Sequence, residues 1–178
     1  MEKVNNIKKI IIKKPLKLDC GITISDYPLA FDTYGNLNKS KDNAIMVFHA
    51  LTGDQFASGE NPITKKDGWW SYVIGPNKAL DTNKYFMICA NVIGGCMGSY
   101  GPNSIDQKSG KKIGINFPVI TINDMVNAQF NLLDHFGISK LFCVTGGSMG
   151  GMQALQFVAN FPDKSKIAVP IACSASHS

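Results

Sequence analysis

The sequence contains no arginine: all eighteen of its basic residues are lysine. This absence matters because the planar guanidinium is the usual two-point partner of a carboxylate, whereas lysine offers one charge on a flexible stem. These 178 residues therefore offer only groups other than arginine to hold a carboxylate-bearing substrate.

Paired cysteines are missing as well. The five cysteines are odd in number, widely spaced and without a CxxC pair: Cys20, Cys89, Cys96, Cys143 and Cys173. A disulfide framework needs pairs, and a zinc site usually has closely spaced ligands. We therefore expect reduced thiols and no metal site.

Long apolar runs are also absent. The apolar part of the N-terminal segment is only Ile10 to Ile12, too short for a signal peptide or a membrane-spanning helix. Residues 1–17 hold six Lys and one acid, which gives the whole net charge of +5, and the remaining twelve Lys balance twelve acids. Solvated charges flanking a first strand explain this segment. We expect a cytoplasmic protein with no membrane and no nucleic-acid partner.

What the sequence does have is a regular alternation of apolar runs and helical patterns. This alternation is typical of βα units and a mostly parallel sheet, and thus of an α/β fold. It predicts strands at 8–13, 20–24, 28–34, 44–49, 85–90, 141–145 and 167–172. The first three are expected to be antiparallel, because their connections are too short for crossovers. The length favours one domain over residues 1–178.

Two helices and two long loops complete the prediction. Residues 122–136 carry an apolar stripe with one polar break at Gln129, begin with Thr121 in a capping-box pattern and end before Gly137. A second helix is predicted at 149–160. Long Gly-, Pro- and Asn-rich stretches at 50–80 and 91–118 are expected to wall a binding site. GGCMGSYG lacks the features of a nucleotide fingerprint, so no bound cofactor is expected.

The pentapeptide Gly146 to Gly150 has the pattern GxSxG, between an apolar strand and the second helix. This context favours a nucleophile elbow, in which glycines permit a strained turn that lifts Ser148 above the sheet edge. The alternative is a glycine-rich turn whose serine caps the helix. An elbow also needs two oxyanion donors, which would be the N–H of Met149 and one from residues 49–53, directly after a strand.

Longer motifs resemble the homoserine O-acetyltransferases, in family order: HALTGD (49–54), GWWSYVIGPNKALDT (68–82), NVIGGCMGSYGPNSID (91–106), FPVITINDMV (117–126) and GGSMGGMQAL (146–155). The resemblance implies an α/β-hydrolase fold with helices on both faces of the sheet. It also implies acyl transfer from acetyl-CoA to the L-homoserine hydroxyl in methionine biosynthesis, through an acyl-serine. By motif position Ser148 matches the nucleophile, and Leu51 and Met149 match the oxyanion donors. Gly94, Gly95 and Cys96 are candidates for a loop that lines the acyl or cofactor pocket.

The resemblance further implies what lies beyond the last segment, IAVPIACSASHS. In the family, the lid, the last two strands, the triad Asp, the triad His and an arginine for the homoserine carboxylate follow this point. We therefore expect a truncated α/β-hydrolase domain that is inactive alone. The alternatives are half of a split enzyme that a second, C-terminal chain completes, and a non-catalytic remnant or interaction module.

The proton acceptor for Ser148 is not evident in the sequence. His135 is expected at the flank of a helix, His49 on the oxyanion side of the serine, and His177 in the terminal tail with nothing to orient it. None of Asp54, Asp81, Asp106 and Asp124 is expected to act as the triad acid. A thiol nucleophile at Cys96 is not favoured, since no positive neighbour close in sequence would lower its pKa. A weak esterase that uses His49 or His177 stays open as a third hypothesis.

Overall fold

The computed structural model describes residues 7–106 and 109–175. Its main element is a six-stranded sheet, built from β1 (Lys9–Ile12), β4 (Tyr27–Tyr34), β5 (Ala44–Phe48), β8 (Phe86–Ala90), β9 (Leu141–Gly147) and β10 (Ser165–Ile171). Two-residue strands form two small sheets beside it: β2 (Leu16–Lys17) with β3 (Thr23–Ile24), and β6 (Ile74–Gly75) with β7 (Leu80–Asp81).

The spatial order of the main sheet is β1-β4-β8-β5-β9-β10. The strands β8, β5, β9 and β10 are parallel, while β1 and β4 extend the sheet in antiparallel fashion. Because β5 and β9 are parallel neighbours, their carboxyl ends meet at one edge, and ligands of open α/β sheets bind at that edge.

Both predicted helices are confirmed, α1 at Ile122–Phe136 and α2 at Met149–Asn160. The start of α1 is a capping box, in which the Thr121 hydroxyl accepts from the Asp124 N–H at 3.2 Å and the Asp124 carboxylate accepts from the Thr121 N–H at 3.0 Å. Its end is Gly137 at φ 63°, a left-handed conformation that glycine adopts at little cost.

Alternation along the central strands divides the core between the two faces of the sheet. Met46 and Phe48 face α1 and α2, which pack on one face together, whereas Ile45 and Val47 face the opposite side. Within the described residues that side is covered by the irregular segment 55–85, including Trp69 and Trp70, where helices on both faces were predicted. Apolar side chains in loops thus bury this face without a second helical layer.

The prediction at 20–24 differs most from the structure. Only Thr23–Ile24 is a strand there, and it pairs with β2 outside the main sheet. Gly21 at φ 89° and the exposed Cys20 belong to the turn before it. The predicted antiparallel direction is confirmed for β1 with β4, whereas β3 pairs with β2, a strand that was not predicted.

Candidate active site

Ser148 lies on a sharp turn between β9 and α2. Its backbone has φ 56° and ψ −123°, a combination that costs a residue with a Cβ of the order of 1–3 kcal/mol. Its N–H donates to the carbonyl of Ile171 at 3.0 Å, which ties the turn to the end of β10. Within the described chain the serine hydroxyl makes no capping hydrogen bond to α2, so the structure argues against the alternative in which the serine only caps this helix.

Glycines are required around this turn because neighbouring atoms leave no room for a Cβ. A Cβ on Gly146 would lie 2.6 Å from the Phe48 carbonyl oxygen, and one on Gly150 would overlap the same oxygen. A Cβ on Gly151 would lie 2.7 Å from the Cys173 sulfur. The first turn of α2 therefore sits directly on the end of β5, at a distance that only glycine allows.

The second predicted part of the site is the turn that follows β5. The N–H of Gly53 donates to the Ala50 carbonyl at 2.9 Å, which closes a tight turn around Leu51. The Leu51 side chain is 77% exposed, so the buried core does not fix this residue. Leu51 follows the strand that pairs with the strand before Ser148, and this places both predicted oxyanion donors at the same sheet edge.

A cavity of about 470 Å³ opens at this edge. Leu51 and Met149 line it, together with the predicted loop residues Gly94, Gly95 and Cys96, and Phe117, Ile120 and Met125 provide apolar wall. Residues of both long loops line this cavity, and its use as a binding site stays a prediction. A second space of about 880 Å³ shares Gly95 and Cys96 with the first and extends toward Lys9 and Lys112.

His49 is a buried structural residue. Its Nδ1 lies 2.8 Å from the Ala50 carbonyl, and its Nε2 lies 3.2 Å from the Val92 N–H. One ring nitrogen must therefore donate and the other accept, which is the pattern of a neutral imidazole. Burial lowers the pKa of His49, against a smaller raising effect of the Ala50 hydrogen bond. With both nitrogens engaged, this ring has no lone pair for the Ser148 proton.

The other histidines do not supply the base in the described structure. His135 is exposed near the end of α1, where its ring packs on Phe31 and Phe136. The Lys41 ammonium, just before β5, donates to the Phe136 carbonyl, so His135 lies at the amino-terminal edge of the parallel strands while Ser148 lies beyond their carboxyl ends. His177 lies outside the described residues.

The carboxylates that were considered as triad acids serve local structure. Asp54 accepts from the Phe56 N–H at 2.8 Å, Asp81 from the Asn77 and Asn83 N–H groups at 3.0 Å, and Asp124 belongs to the capping box. Among the residues in 7–106 and 109–175, no group of three or more His, Cys, Asp or Glu side chains could hold a metal ion. Likewise, none of the helices in these ranges is both long and apolar enough to cross a membrane.

The thiols fall into two classes. Burial raises the pKa of Cys89 and raises that of Cys143 to about 11, so both are inert core groups. Cys96 is exposed on the loop that lines both cavities. The structure puts Cys96 in a cavity wall, and its place in a substrate pocket stays a prediction.

The sequence did not reveal a pair of buried glutamines beneath the elbow. Gln153 and Gln129 are both fully buried, and the Gln129 Nε2 donates to the Gln153 Oε1 at 2.7 Å. The available signal was a polar side chain on the core-facing side of each helix. In the sequence, Gln129 is visible only as the polar break in the apolar stripe of α1.

Comparison with known proteins places this arrangement in context. The profile of the alpha/beta hydrolase fold family matches residues 43–172. The chain is 74% identical over 173 residues to the homoserine O-acetyltransferase of Pelagibacter ubique (strain HTCC1062), covering 97% of this chain and 46% of that protein.

Two solved structures are similar over most of the chain. The homoserine O-acetyltransferase from Bacillus anthracis is 34% identical with a TM-score of 0.82, covering 92% of this chain and 46% of that one. An acetylester hydrolase from Corynebacterium glutamicum is 37% identical with a TM-score of 0.79, covering 99% of this chain and 47% of that one. The chain thus spans about half the length of the proteins it matches.

Proposed function

The chain belongs to the alpha/beta hydrolase fold family, and we propose that it supplies the nucleophile and the oxyanion hole of a homoserine O-acetyltransferase. The observation that carries this proposal is the strained backbone of Ser148, whose hydroxyl does not cap α2 and whose neighbour Met149 lines a cavity together with Leu51. The 74% identity to a homoserine O-acetyltransferase supports the choice of reaction.

The chemistry follows from the groups at this edge. The Ser148 oxygen attacks the thioester carbonyl of acetyl-CoA, its proton passes to a base, and the N–H groups of Leu51 and Met149 stabilise the tetrahedral oxyanion. The C–S bond then breaks, and the CoA thiolate leaves with a proton from the same base. In the second half, the base takes the proton of the homoserine hydroxyl as its oxygen attacks the acyl-serine. The bond between the Ser148 oxygen and the acyl carbon breaks, the base returns the proton to Ser148, and O-acetylhomoserine leaves.

The base is the group that the described residues do not offer. His49 has both ring nitrogens engaged, and His135 lies at the opposite edge of the sheet. We propose that a segment outside the described residues brings an imidazole to Ser148. The relatives contain such additional length, since this chain covers 46% of the Pelagibacter ubique protein.

The test is to co-express the chain with the part of the Pelagibacter ubique protein that it does not match, hereafter the unmatched segment. We expect the pair to release thiol from acetyl-CoA continuously only when homoserine is present, beyond the single equivalent that acylation of Ser148 frees, and the chain by itself to give no turnover. Ser148→Ala in the pair should abolish the release. A folded pair that shows no homoserine-dependent thiol release contradicts the proposal.

A second candidate function is acetyl-ester hydrolysis, in which water replaces homoserine as the acceptor. The 37% identity to an acetylester hydrolase favours it, as does the exposure of Ser148 to solvent. Thiol release by the pair that is independent of homoserine would support this function. Labelling of the chain by a fluorophosphonate that His177→Ala abolishes would instead support an esterase that uses His177.

A non-catalytic role is the remaining alternative. If the chain acts only through its surface, Ser148→Ala leaves its cellular phenotype unchanged. A loss of phenotype in that variant supports the nucleophilic role of Ser148.

A further inference from the structure

We infer that Gln153 is a positioning residue that holds the two oxyanion donors at a fixed separation, and that Gln129 locks it in place. The inference deepens the proposed function, and it rests on that function for the role of Leu51 and Met149. Neither glutamine belongs to the predicted site.

A single amide group connects the two halves of the oxyanion hole. The Gln153 Nε2 lies 3.3 Å from the His49 carbonyl oxygen and 3.4 Å from the Met149 carbonyl oxygen. His49 begins the turn that carries the Leu51 N–H, and Met149 carries the other donor. The Gln153 side chain therefore joins the end of β5 to the first turn of α2 at the level of the site.

The orientation of this amide is determined by its partners. Both groups that face the Gln153 Nε2 are carbonyl oxygens, which only accept, so the side chain must present its NH₂ to them. Its Oε1 then points away and accepts from the Gln129 Nε2 at 2.7 Å. Gln129 projects from α1. This helix therefore also helps to hold the Gln153 amide in position.

The positions of the two N–H donors matter because each must lie at hydrogen-bond distance from the oxyanion. Removing one donor typically lowers kcat by about 100-fold to 1000-fold. A displacement of about 1 Å can cost about 100-fold. Loss of the Gln153 link leaves both donors in place but less well fixed, so we expect a fall in kcat of about 10-fold to 100-fold.

Gln156 provides a matched control on the same helix. Its Nε2 donates to the Asn160 Oδ1 at 2.7 Å, and the Asn160 Nδ2 donates to the Asn123 Oδ1 of α1 at 2.7 Å. This second polar link also joins α2 to α1, and within the described residues its hydrogen bonds lead to α1 and not to β5 or the turn after it. A general loss of helix packing would therefore affect both positions alike.

The first experiment compares Gln153→Met with Gln156→Met in the chain co-expressed with the unmatched segment. We expect Gln153→Met to lower kcat about 10-fold to 100-fold while the KM for acetyl-CoA stays within about twofold, because the oxyanion develops only in the transition state. Gln156→Met should stay within about twofold in both. An unchanged kcat for Gln153→Met, an equal loss in both variants, or a KM that rises as much as kcat falls overturns the inference.

A second experiment separates this inference from the proposed function. If the parent pair has no homoserine-dependent activity, the backbone order parameter of the Leu51 amide is measured in the 178-residue chain by nitrogen-15 relaxation. A fall from about 0.85 to below about 0.6 in Gln153→Met, but not in Gln156→Met, supports the positioning role, and an unchanged value overturns it. Should Gln153→Met not fold, Gln129→Met decides by the same readouts, since it keeps Gln153 but removes its lock.

Discussion

At the scale of single residues, Ser148 combines a strained backbone with the nucleophilic role that we propose. Its φ of 56° and ψ of −123° lie in a region that glycine adopts at little cost and that is strained for a residue with a Cβ. The surrounding structure holds it there: its N–H is bonded to Ile171, and neighbouring glycines admit the contact with β5. The strained conformation of Ser148 therefore lowers the free energy of unfolding of the chain.

Replacing Ser148 should separate these two effects. We expect Ser148→Gly to raise the free energy of unfolding by about 1 kcal/mol relative to Ser148→Ala, because relief of about 1–3 kcal/mol of strain exceeds the added entropy of an unfolded glycine. Urea unfolding with linear extrapolation measures the difference. Equal stabilities of the two variants would show that the turn is not strained.

His49 gives the molecule a dependence of stability on pH. Burial lowers its pKa below the ordinary value of 6.5, so the unfolded chain binds this proton more readily than the folded chain does. The resulting stability is fully present above that ordinary value and is lost as the pH falls through the interval between it and the lower folded pKa. Protonation would also set a ring N–H against the Val92 N–H, which now donates to Nε2.

We therefore expect the free energy of unfolding to fall as the pH is lowered from about 7 to about 5, and His49→Gln to reduce that slope. Urea titrations at several pH values measure it. His135→Gln, at an exposed position, is the control and should keep the parent slope. A parent slope that His49→Gln leaves intact would assign the effect to other groups.

The same scale shows where sequence reasoning ends. The place of Ser148 followed from glycines around a serine between strand and helix, because backbone strain leaves a local mark in the sequence. The interaction of Gln153 with His49 left no such mark, since it joins residues 104 positions apart. Its importance depends on three-dimensional contacts that no local pattern encodes.

At the scale of elements, β10 is an edge strand of the sheet, and most of its residues are exposed. Its neighbour on one side is β9, and among the described residues no strand pairs with its other side. Ile167, Val169 and Ile171 are 44%, 43% and 42% exposed, and Pro170 lacks one N–H. An apolar edge of this kind is a template for pairing with another chain.

Val169→Lys should weaken self-association of the chain, because a charge on an edge strand opposes the approach of a second edge. Light scattering over a range of concentrations measures the apparent mass. The matched control is Ile115→Lys, which replaces a fully exposed isoleucine in the short helix Gly114–Asn116 away from that edge. If both substitutions reduce association equally, added charge rather than the edge is responsible.

Element prediction succeeded where local chemistry specifies an end. The capping box and Gly137 fixed α1 at the predicted residues, and Pro162 follows α2 closely. It was weaker at 20–24, where four of the five residues, including Gly21, are exposed and only Ile24 is buried. The two-residue strands β6 and β7 were not predicted, because pairs this short carry no period.

At the scale of the whole molecule, alternation of strands and helices was sufficient for the fold class. It could not show how each face of the sheet is covered. Apolar side chains such as Trp69 and Trp70, in a segment without periodicity, cover the face opposite the helices. Irregular coverage of this kind depends on many tertiary contacts, so composition alone predicts a loop and not its position.

The open edge also has a consequence for the stability of the chain in the presence of a partner. If the unmatched segment pairs with β10, it binds the folded chain and not the unfolded one, so it must stabilise the fold by mass action. We expect a gain of about 2.7 kcal/mol in the free energy of unfolding when the segment is present at about a hundred times its dissociation constant.

Thermal unfolding at increasing concentrations of the unmatched segment measures this gain without any need for catalysis. Val169→Lys should reduce the gain, because it places a charge where the apolar edge would be buried, whereas Ile115→Lys should keep it. A midpoint that does not move with the concentration of the segment would mean that the segment does not bind the folded chain. An equal gain in the parent and in Val169→Lys would mean that β10 is not its docking edge. In that case any imidazole that serves Ser148 must approach across the cavity walled by Leu51 and Met149, on the side of the two long loops.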